Sequence, residues 1–179
     1  MIISNTIKLI ALLAMNALAG SVFAHIVLEQ KAAPAASTHK AVFQVGHGCQ
    51  GAATTAVRVQ VPAGFKGAKP MPKAGWVLSL EADAITWTAS SAATALPDAH
   101  YDEFVLRGRT PDAPGPLWFA VRQSCGAVVQ DWADVPASGT STQGLKSPAA
   151  LLQVTGAAGV QPSATGAAPT APTATAHQH

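Results

Sequence analysis

His25 is the residue whose type and position most clearly suggest chemistry, because it follows Val22, Phe23 and Ala24 in the stretch SVFAHIVLEQ. Small or short residues three and one positions before a bond are typical of a signal-peptidase site, so we expect cleavage after Ala24. Cleavage would give His25 two nitrogen donors, its α-amino group and its imidazole Nδ1, which close a chelate ring on one metal ion. Such donors suit Cu(II), which prefers tetragonal coordination. The alternative is that cleavage leaves a histidine there by chance.

His47 is a candidate second ligand, and it lies between two glycines in the break GHGC. If HIVLEQ and HKAVFQV pair as antiparallel strands about a turn near Ala35 and Ala36, His25 lies opposite Gly46 or His47. The flanking glycines leave the backbone free to turn the imidazole toward that site. We therefore predict that His47 joins His25, the alternative being a turn histidine beside a disulfide.

The stretch LPDAHYDEF is a second polar cluster. Asp98 offers an oxygen ligand and His100 a nitrogen ligand, while Glu103 could orient one of them by a hydrogen bond. The alternative is that these residues form an ordinary turn that leads into a strand.

Two further polar residues are expected to stay outside the site. Glu29 lies four residues along a strand from His25, roughly 13 Å away at the rise of a strand, and so is expected on the surface. His39 falls near the far end of the same hairpin, where we expect a solvated histidine at the start of a strand.

Cys49 and Cys125 are the two cysteines of the chain. In an exported protein they are expected to form one disulfide, because the compartment is oxidising. Closing so long a loop would stabilise the fold by up to about 4 kcal/mol in the chain-entropy description. The alternative is a pair of thiolate ligands for a metal.

The two ends of the 179-residue chain do not have the sequence of a packed domain. The apolar run LIALLAMNALAG is shorter than the roughly 20 residues of a membrane-spanning helix, which favours a signal peptide over an anchor. From about Thr155 the chain is built from Ala, Thr, Pro and Gly, which cannot bury enough surface to fold. We therefore expect a signal peptide at 1–24, one domain at 25–154 and a disordered tail at 155–179, in a periplasmic or secreted protein without a membrane span.

The charge pattern and the motifs exclude several function classes. The formal net charge is +2 at pH 7 and becomes +1 when Lys8 leaves with the signal peptide, and the remaining basic residues are scattered. Nucleic acid is therefore not expected as a partner. The sequence contains no GxSxG, HExxH or CxxC motif and no Gly-rich phosphate loop, so nothing in it supports a hydrolase or a redox-motif enzyme, and we expect no catalytic activity.

Between the two ends, the chain consists of short β-type runs separated by Gly and Pro. Valines alternate with Arg58 and Gln60 in TTAVRVQV, which is typical of a strand with one buried face. The other predicted strands are HIVLEQ, HKAVFQV, WVLSLEA, AITWTA, YDEFVLRGR, LWFAVRQSC, AVVQDWADV and ALLQVT. Between them, AAPAAS and PAGFKGAKPMPKAG are predicted as connections. This pattern favours an all-β fold, an immunoglobulin-like β-sandwich, with a small β-barrel as the alternative.

These motifs together resemble one known family. The signal boundary before HIVLEQ is followed by VGHGC, TTAVRVQVP, GAKPMPKAGW, ITWTA, LPDAHYDEFVLRG and PDAPGPLWFAVRQSC. In this order they are similar to the bacterial YcnI-like family of extracytoplasmic copper-binding proteins, over essentially all of residues 25–154. The resemblance implies an immunoglobulin-like sandwich that binds one Cu(II) through an N-terminal histidine, a histidine brace, with His25 in that role.

The resemblance also implies a role for Trp132, as an aromatic that shields the copper ion. Members of the Gram-positive type add a glutamate and often a C-terminal anchor. No such anchor is expected in this sequence, and GHGC lies near the place of the glutamate, so the remaining ligand is expected to be either His47 or a carboxylate.

The resemblance implies a function in copper acquisition, delivery or resistance. Other periplasmic copper chaperones are the implied partners. The sequence leaves two alternative functions open. One is a copper monooxygenase that acts on polysaccharide, because such enzymes also use a histidine brace. The other is a sandwich module that binds another envelope protein, with His25 incidental.

Overall fold

The computed structural model describes residues 25–157, which form twelve β-strands and one short 3-10 helix at Ala92–Thr94. The strands are β1 (Val27–Leu28), β2 (Ala32–Pro34), β3 (Thr38–Val45), β4 (Ala56–Gln60), β5 (Lys66–Pro70), β6 (Trp76–Leu80), β7 (Ala84–Ala89), β8 (Asp102–Arg109), β9 (Gly115–Phe119), β10 (Val121–Cys125), β11 (Val128–Trp132) and β12 (Ala150–Thr155). The predicted signal peptide and the predicted tail beyond residue 157 lie outside the described residues. Over residues 25–157 no helix is long and apolar enough to cross a bilayer.

The first sheet has the strand order β1-β3-β8-β5, and its two long strands follow the expected alternation. In the antiparallel register of β3 and β8, Phe43 lies opposite Phe104, and both are buried. Gln44 lies opposite Glu103 on the other face, where both are only half-buried. One face of this sheet therefore packs on the core, while the other is only partly exposed, since Val42 and Val105 lie opposite each other on it and are buried.

The second sheet has the order β11-β10-β4-β7-β6. In β4, Val57 and Val59 are fully buried, as the alternation predicts, and Arg58 and Gln60 point outward. The two sheets face each other, because the ring of Trp87 on β7 meets that of Phe104 on β8 edge to face, with centroids 5.6 Å apart. The fold is therefore a β-sandwich.

A third sheet, of order β2-β12-β9, corrects one predicted strand. The run LWFAVRQSC is not continuous: it divides at Ala120 into β9, which pairs with β12, and β10, which pairs with β4 and β11. Phe119 and Val121 are both buried, as residues two apart on one continuous strand would be, so the inward alternation runs through the break unchanged. The chain changes sheets here, which a run of apolar residues does not reveal.

Two strands lie in segments that the sequence predicted as connections. Strand β2 falls in AAPAAS and pairs in parallel with β12, and β5 falls in PAGFKGAKPMPKAG and pairs with β8 across an irregular register. Both are edge strands with proline at their last residue, the position where a missing N–H is tolerated. At the other end of the domain, Thr155 still belongs to β12, one residue beyond the expected boundary.

The expectation of a solvated His39 is wrong, since only 5% of its surface is exposed. His39 occupies an inward position of β3, in phase with Ala41 and Phe43. Its cross-strand partner is Gly108, and a Cβ at Gly108 would lie 2.4 Å from the Phe65 ring. Burial lowers the pKa of the His39 imidazole. The period of the strand therefore outweighs the preference of a histidine for water.

Candidate metal centre

His25 is half-buried at the start of the described chain, immediately before β1. The buried side chains of Ile26 and Leu28 anchor the segment in the core. Strand β1 pairs antiparallel with β3, with Val27 opposite Gln44. Continuing this register by two residues places His25 opposite Gly46, next to His47. The predicted pairing of HIVLEQ with HKAVFQV is therefore confirmed.

Trp132 is the aromatic neighbour of His25. The centroids of the two rings are 5.5 Å apart, and the ring planes are inclined by 57°. Trp132 ends β11 and is 3% exposed, so a buried indole packs against the half-buried imidazole. The indole N–H of the buried Trp132 has a hydrogen-bond partner, because it donates to Gln123 Oε1 at 3.3 Å.

Gln123 connects Trp132 to the GHGC segment. It is 1% exposed, and its Nε2 donates to the backbone oxygen of His47 and to Thr54 Oγ1, both at 2.8 Å. The sequence reasoning missed this residue. A signal for it was present, because in VRQSC the glutamine shares the inward face of β10 with Val121 and Cys125, where a polar side chain needs internal partners.

His47 itself lies in a braced loop. Its Nδ1 contacts the Gly48 carbonyl oxygen, and its Nε2 is buried without a hydrogen-bond partner. The Gly48 N–H donates to Asp98 Oδ1 at 3.0 Å. A Cβ at Gly48 would lie 1.8 Å from the Ala52 oxygen, so only glycine fits this approach. Asp98 therefore supports the loop that carries His47, and the two polar clusters of the sequence are neighbours.

The other residues of the LPDAHYDEF cluster lie further out. His100 is exposed, and its backbone N–H donates to the Pro97 oxygen in a turn. Glu103 accepts a hydrogen bond from the Tyr101 hydroxyl and lies on the outer face of β8. The described contacts therefore do not join Glu103 to Asp98 or His100. They show it orienting Tyr101 instead.

His25 lies between two cavities. The larger, of about 560 Å³, is lined by His25, Gln130, Gly144, Leu145, Lys146 and Ser147. The smaller, of about 160 Å³, lies between β1 and the segments 140–142 and 148–151. The connection from β11 to β12 therefore forms walls on both sides of His25, and none of its residues had been predicted near the site. Open space beside the imidazole leaves room for an ion and its remaining ligands.

The donor chemistry fits copper in a particular way. Within residues 25–157 no three His, Cys, Asp or Glu side chains come together as a metal cluster. A chelate made by one terminal residue asks for fewer converging side chains than a cage does. With its α-amino group released, His25 would supply two nitrogens of the kind that Cu(II) prefers.

The predicted disulfide is present between Cys49 and Cys125, whose Cα atoms are 5.7 Å apart. It ties the GHGC segment to the end of β10, two residues beyond Gln123. The thiolate-pair alternative is therefore not realised. The disulfide instead fixes the loop that carries His47.

Fold and site together define an immunoglobulin-like domain with a histidine at its start, packed beside a buried tryptophan. The chain matches the family described as "Domain of unknown function (DUF1775)" over residues 25–84 and 79–154. The chain belongs to this family, the YcnI-like family, which confirms the resemblance carried by its motifs.

Comparison with solved structures and with curated proteins gives two further results. One solved structure is described as the crystal structure of an uncharacterized protein from Nocardia farcinica that reveals an immunoglobulin-like fold. It is 24% identical, with a TM-score of 0.62, and the match covers 73% of this chain and 97% of that one. The likeness establishes the fold, so the predicted immunoglobulin-like sandwich is confirmed. No curated protein matches the chain.

Proposed function

We propose that this protein is an exported copper-binding protein that holds one Cu(II) through the α-amino group and imidazole of mature His25. It serves copper acquisition, delivery or resistance without catalytic turnover, and exchanges copper with other periplasmic chaperones. The observation that carries the proposal is the position of His25 against the buried ring of Trp132, beside a cavity of about 560 Å³.

The chain's own groups divide the work of binding. His25 supplies the chelate, and its amine, with an ordinary pKa near 8, releases a proton to a tightly bound metal at neutral pH. Trp132 covers one side of the imidazole, which limits the approach of water from that side. The cavity on the other side leaves a path for the ion to arrive and depart.

His47 is the proposed second ligand. Its Nε2 is buried and has no hydrogen-bond partner, which costs free energy unless the nitrogen is used. The contact of Nδ1 with the Gly48 oxygen favours the tautomer in which Nε2 carries the lone pair. A metal ion is one partner that would satisfy this nitrogen. Asp98 takes part by holding Gly48, whereas His100, on the surface, is not proposed as a ligand.

The deciding experiment compares two forms of the protein that differ at the N-terminus. Mass spectrometry of the exported chain should show that it begins at His25. Titration of that chain with Cu(II) should show one tight site, and the same chain with one glycine added before His25 should bind roughly a hundredfold more weakly, about 2.7 kcal/mol. Equal affinity of the two forms, or a mature chain that begins elsewhere, would refute the proposal.

A further inference from the structure

Gln123 is a buried amide whose orientation is determined by its partners. The His47 backbone oxygen can only accept a hydrogen bond, and the Trp132 indole N–H can only donate one. The Nε2 group must therefore face His47, and Oε1 must face Trp132, as the distances of 2.8 and 3.3 Å show. Exchanging the two ends of the amide would set donor against donor and acceptor against acceptor.

The anchor of this amide is rigid. Thr54 Oγ1 accepts the second hydrogen bond from Nε2, and Thr54 is itself 0% exposed. The Thr54 backbone pairs in both directions with Leu96, at 2.8 and 3.0 Å. Its hydroxyl also lies 3.8 Å from Cys125 Sγ. Gln123 is therefore anchored by Thr54, whose described hydrogen bonds do not include His25.

The side-chain amide of Gln123 forms hydrogen bonds with two parts of the candidate copper site. Oε1 holds the indole of Trp132, whose ring lies 5.5 Å from the His25 ring. Nε2 holds the main chain of His47, the proposed second ligand. One side chain therefore sets the relative position of the covering ring and of the loop that carries His47.

We propose that Gln123 is a positioning residue of the copper site: it fixes the ring of Trp132 against His25 and the loop of His47 behind it. The inference rests on the proposed function, because it concerns the affinity of that site for Cu(II). Gln123 does not contact the ion. It acts through Trp132 and His47, whose positions decide how well His25 is covered and assisted.

The test begins with the metal-free protein. The indole N–H groups of the four tryptophans are observed by two-dimensional ¹⁵N NMR, and the Trp132 signal is assigned with Trp132→Phe. In Gln123→Met, which loses all three hydrogen bonds, we expect the Trp132 signal to shift upfield and its hydrogen exchange to accelerate. In Thr54→Val, which loses the anchoring bond and the hydroxyl contact with Cys125 Sγ but keeps both bonds from Gln123 to the site, the same change should be smaller. Gln153→Met, on β12, should leave the signal unchanged.

The second readout is copper binding by the mature chain, through Kd and quenching of Trp132 emission. Loss of hydrogen bonds of this kind should weaken Cu(II) binding roughly tenfold in Gln123→Met and about threefold in Thr54→Val. Ile85→Ala, in the core of β7, provides a control that lowers stability without touching the site. It should lower Tm and leave Kd unchanged.

The outcomes separate this inference from the function on which it rests. A folded Gln123→Met with an unchanged Trp132 signal and an unchanged Kd would overturn the role of Gln123, and so would Thr54→Val behaving as wild type in both readouts. Absence of tight Cu(II) binding by the wild-type chain would instead overturn the proposed function. The metal-free spectra would then still decide whether Gln123 holds Trp132.

Discussion

Strand β3 has an imidazole near each end, and the surroundings of the two differ: His39 is buried within the strand, whereas His47 is half-buried and lies two residues beyond Val45. Among the described residues, the buried side-chain nitrogens without a hydrogen-bond partner are Nε2 of His39 and Nε2 of His47. His39 lies within the strand, paired with Gly108 beneath the ring of Phe65. His47 lies beyond the other end, in a loop tied to Gln123 and Asp98.

This difference shows that an unpartnered nitrogen does not by itself define a site. At His39 the neighbouring strand positions are apolar, and burial lowers the pKa of the ring, so the imidazole behaves as a core side chain. At His47 the backbone oxygen accepts a hydrogen bond from Gln123, and continuing the register of β1 places His25 opposite Gly46, the residue before His47. We therefore expect substitution of His39 to change the stability of the fold, and substitution of His47 to change the affinity for Cu(II).

The largest effect is expected from removing the disulfide, which supports the His47 end alone. Changing Cys49 and Cys125 together to alanine should lower the free energy of unfolding by about 4 kcal/mol, because the unfolded chain regains the entropy of a long loop. Denaturant unfolding measures this value. Hydrogen exchange should increase around residues 46–54 and much less around His39, and an equal increase at both ends would contradict the distinction.

The next effect concerns the chelate itself. In the mature chain His25→Ala removes the imidazole nitrogen, and Cu(II) binding should weaken roughly a hundredfold or more. Isothermal titration in a competing buffer ligand measures the change. His39→Leu is the matched control, which should bind Cu(II) as the wild type does, and a similar loss in both variants would place copper elsewhere.

A smaller effect is expected at His47. His47→Ala should weaken Cu(II) binding about tenfold, the lower range for loss of a supporting nitrogen ligand. The electron paramagnetic resonance spectrum should also change, because one equatorial nitrogen is replaced. An unchanged spectrum and Kd would leave His47 as a turn residue.

The smallest effect is the pH dependence contributed by His39. Because burial lowers its pKa below the ordinary value of about 6.5, the unfolded chain takes up this proton at a higher pH than the folded chain. The stabilisation is therefore present above pH 6.5 and is lost as the pH falls toward the folded pKa. Denaturant midpoints between pH 5 and 7.5 should show this slope, and His39→Leu should flatten it.

Much of the fold was predictable because its strands obey a period of two. The alternation of Val57 and Val59 with polar residues predicted the inner face of β4. The spacing of HIVLEQ and HKAVFQV predicted the pairing of β1 with β3. The division of LWFAVRQSC at Ala120 was not predictable in this way. The inward positions Leu117, Phe119 and Val121 keep one period of two through Ala120, and only the partners β12 and β4 separate the two halves.

The candidate site was predictable in part. His25 was predicted from the expected signal-peptidase site, and the pairing of Cys49 with Cys125 from the expected oxidising compartment. Glu103 was expected to orient Asp98 or His100, but its described partner is Tyr101, because Glu103 occupies the outer face of β8. A loop cluster in the sequence does not say which way each side chain points.

The sequence by itself determined which residues face inward along most strands, and it predicted that His25 would carry two nitrogen donors if cleavage made it terminal. These are local properties, set by cleavage chemistry and by the alternation of a strand. Only the tertiary structure decided that Trp132 covers His25 and that Gln123 joins Trp132 to His47. The first contact joins the segment before β1 to the second sheet, and the other joins that sheet to the loop after β3, so both depend on how the two sheets pack.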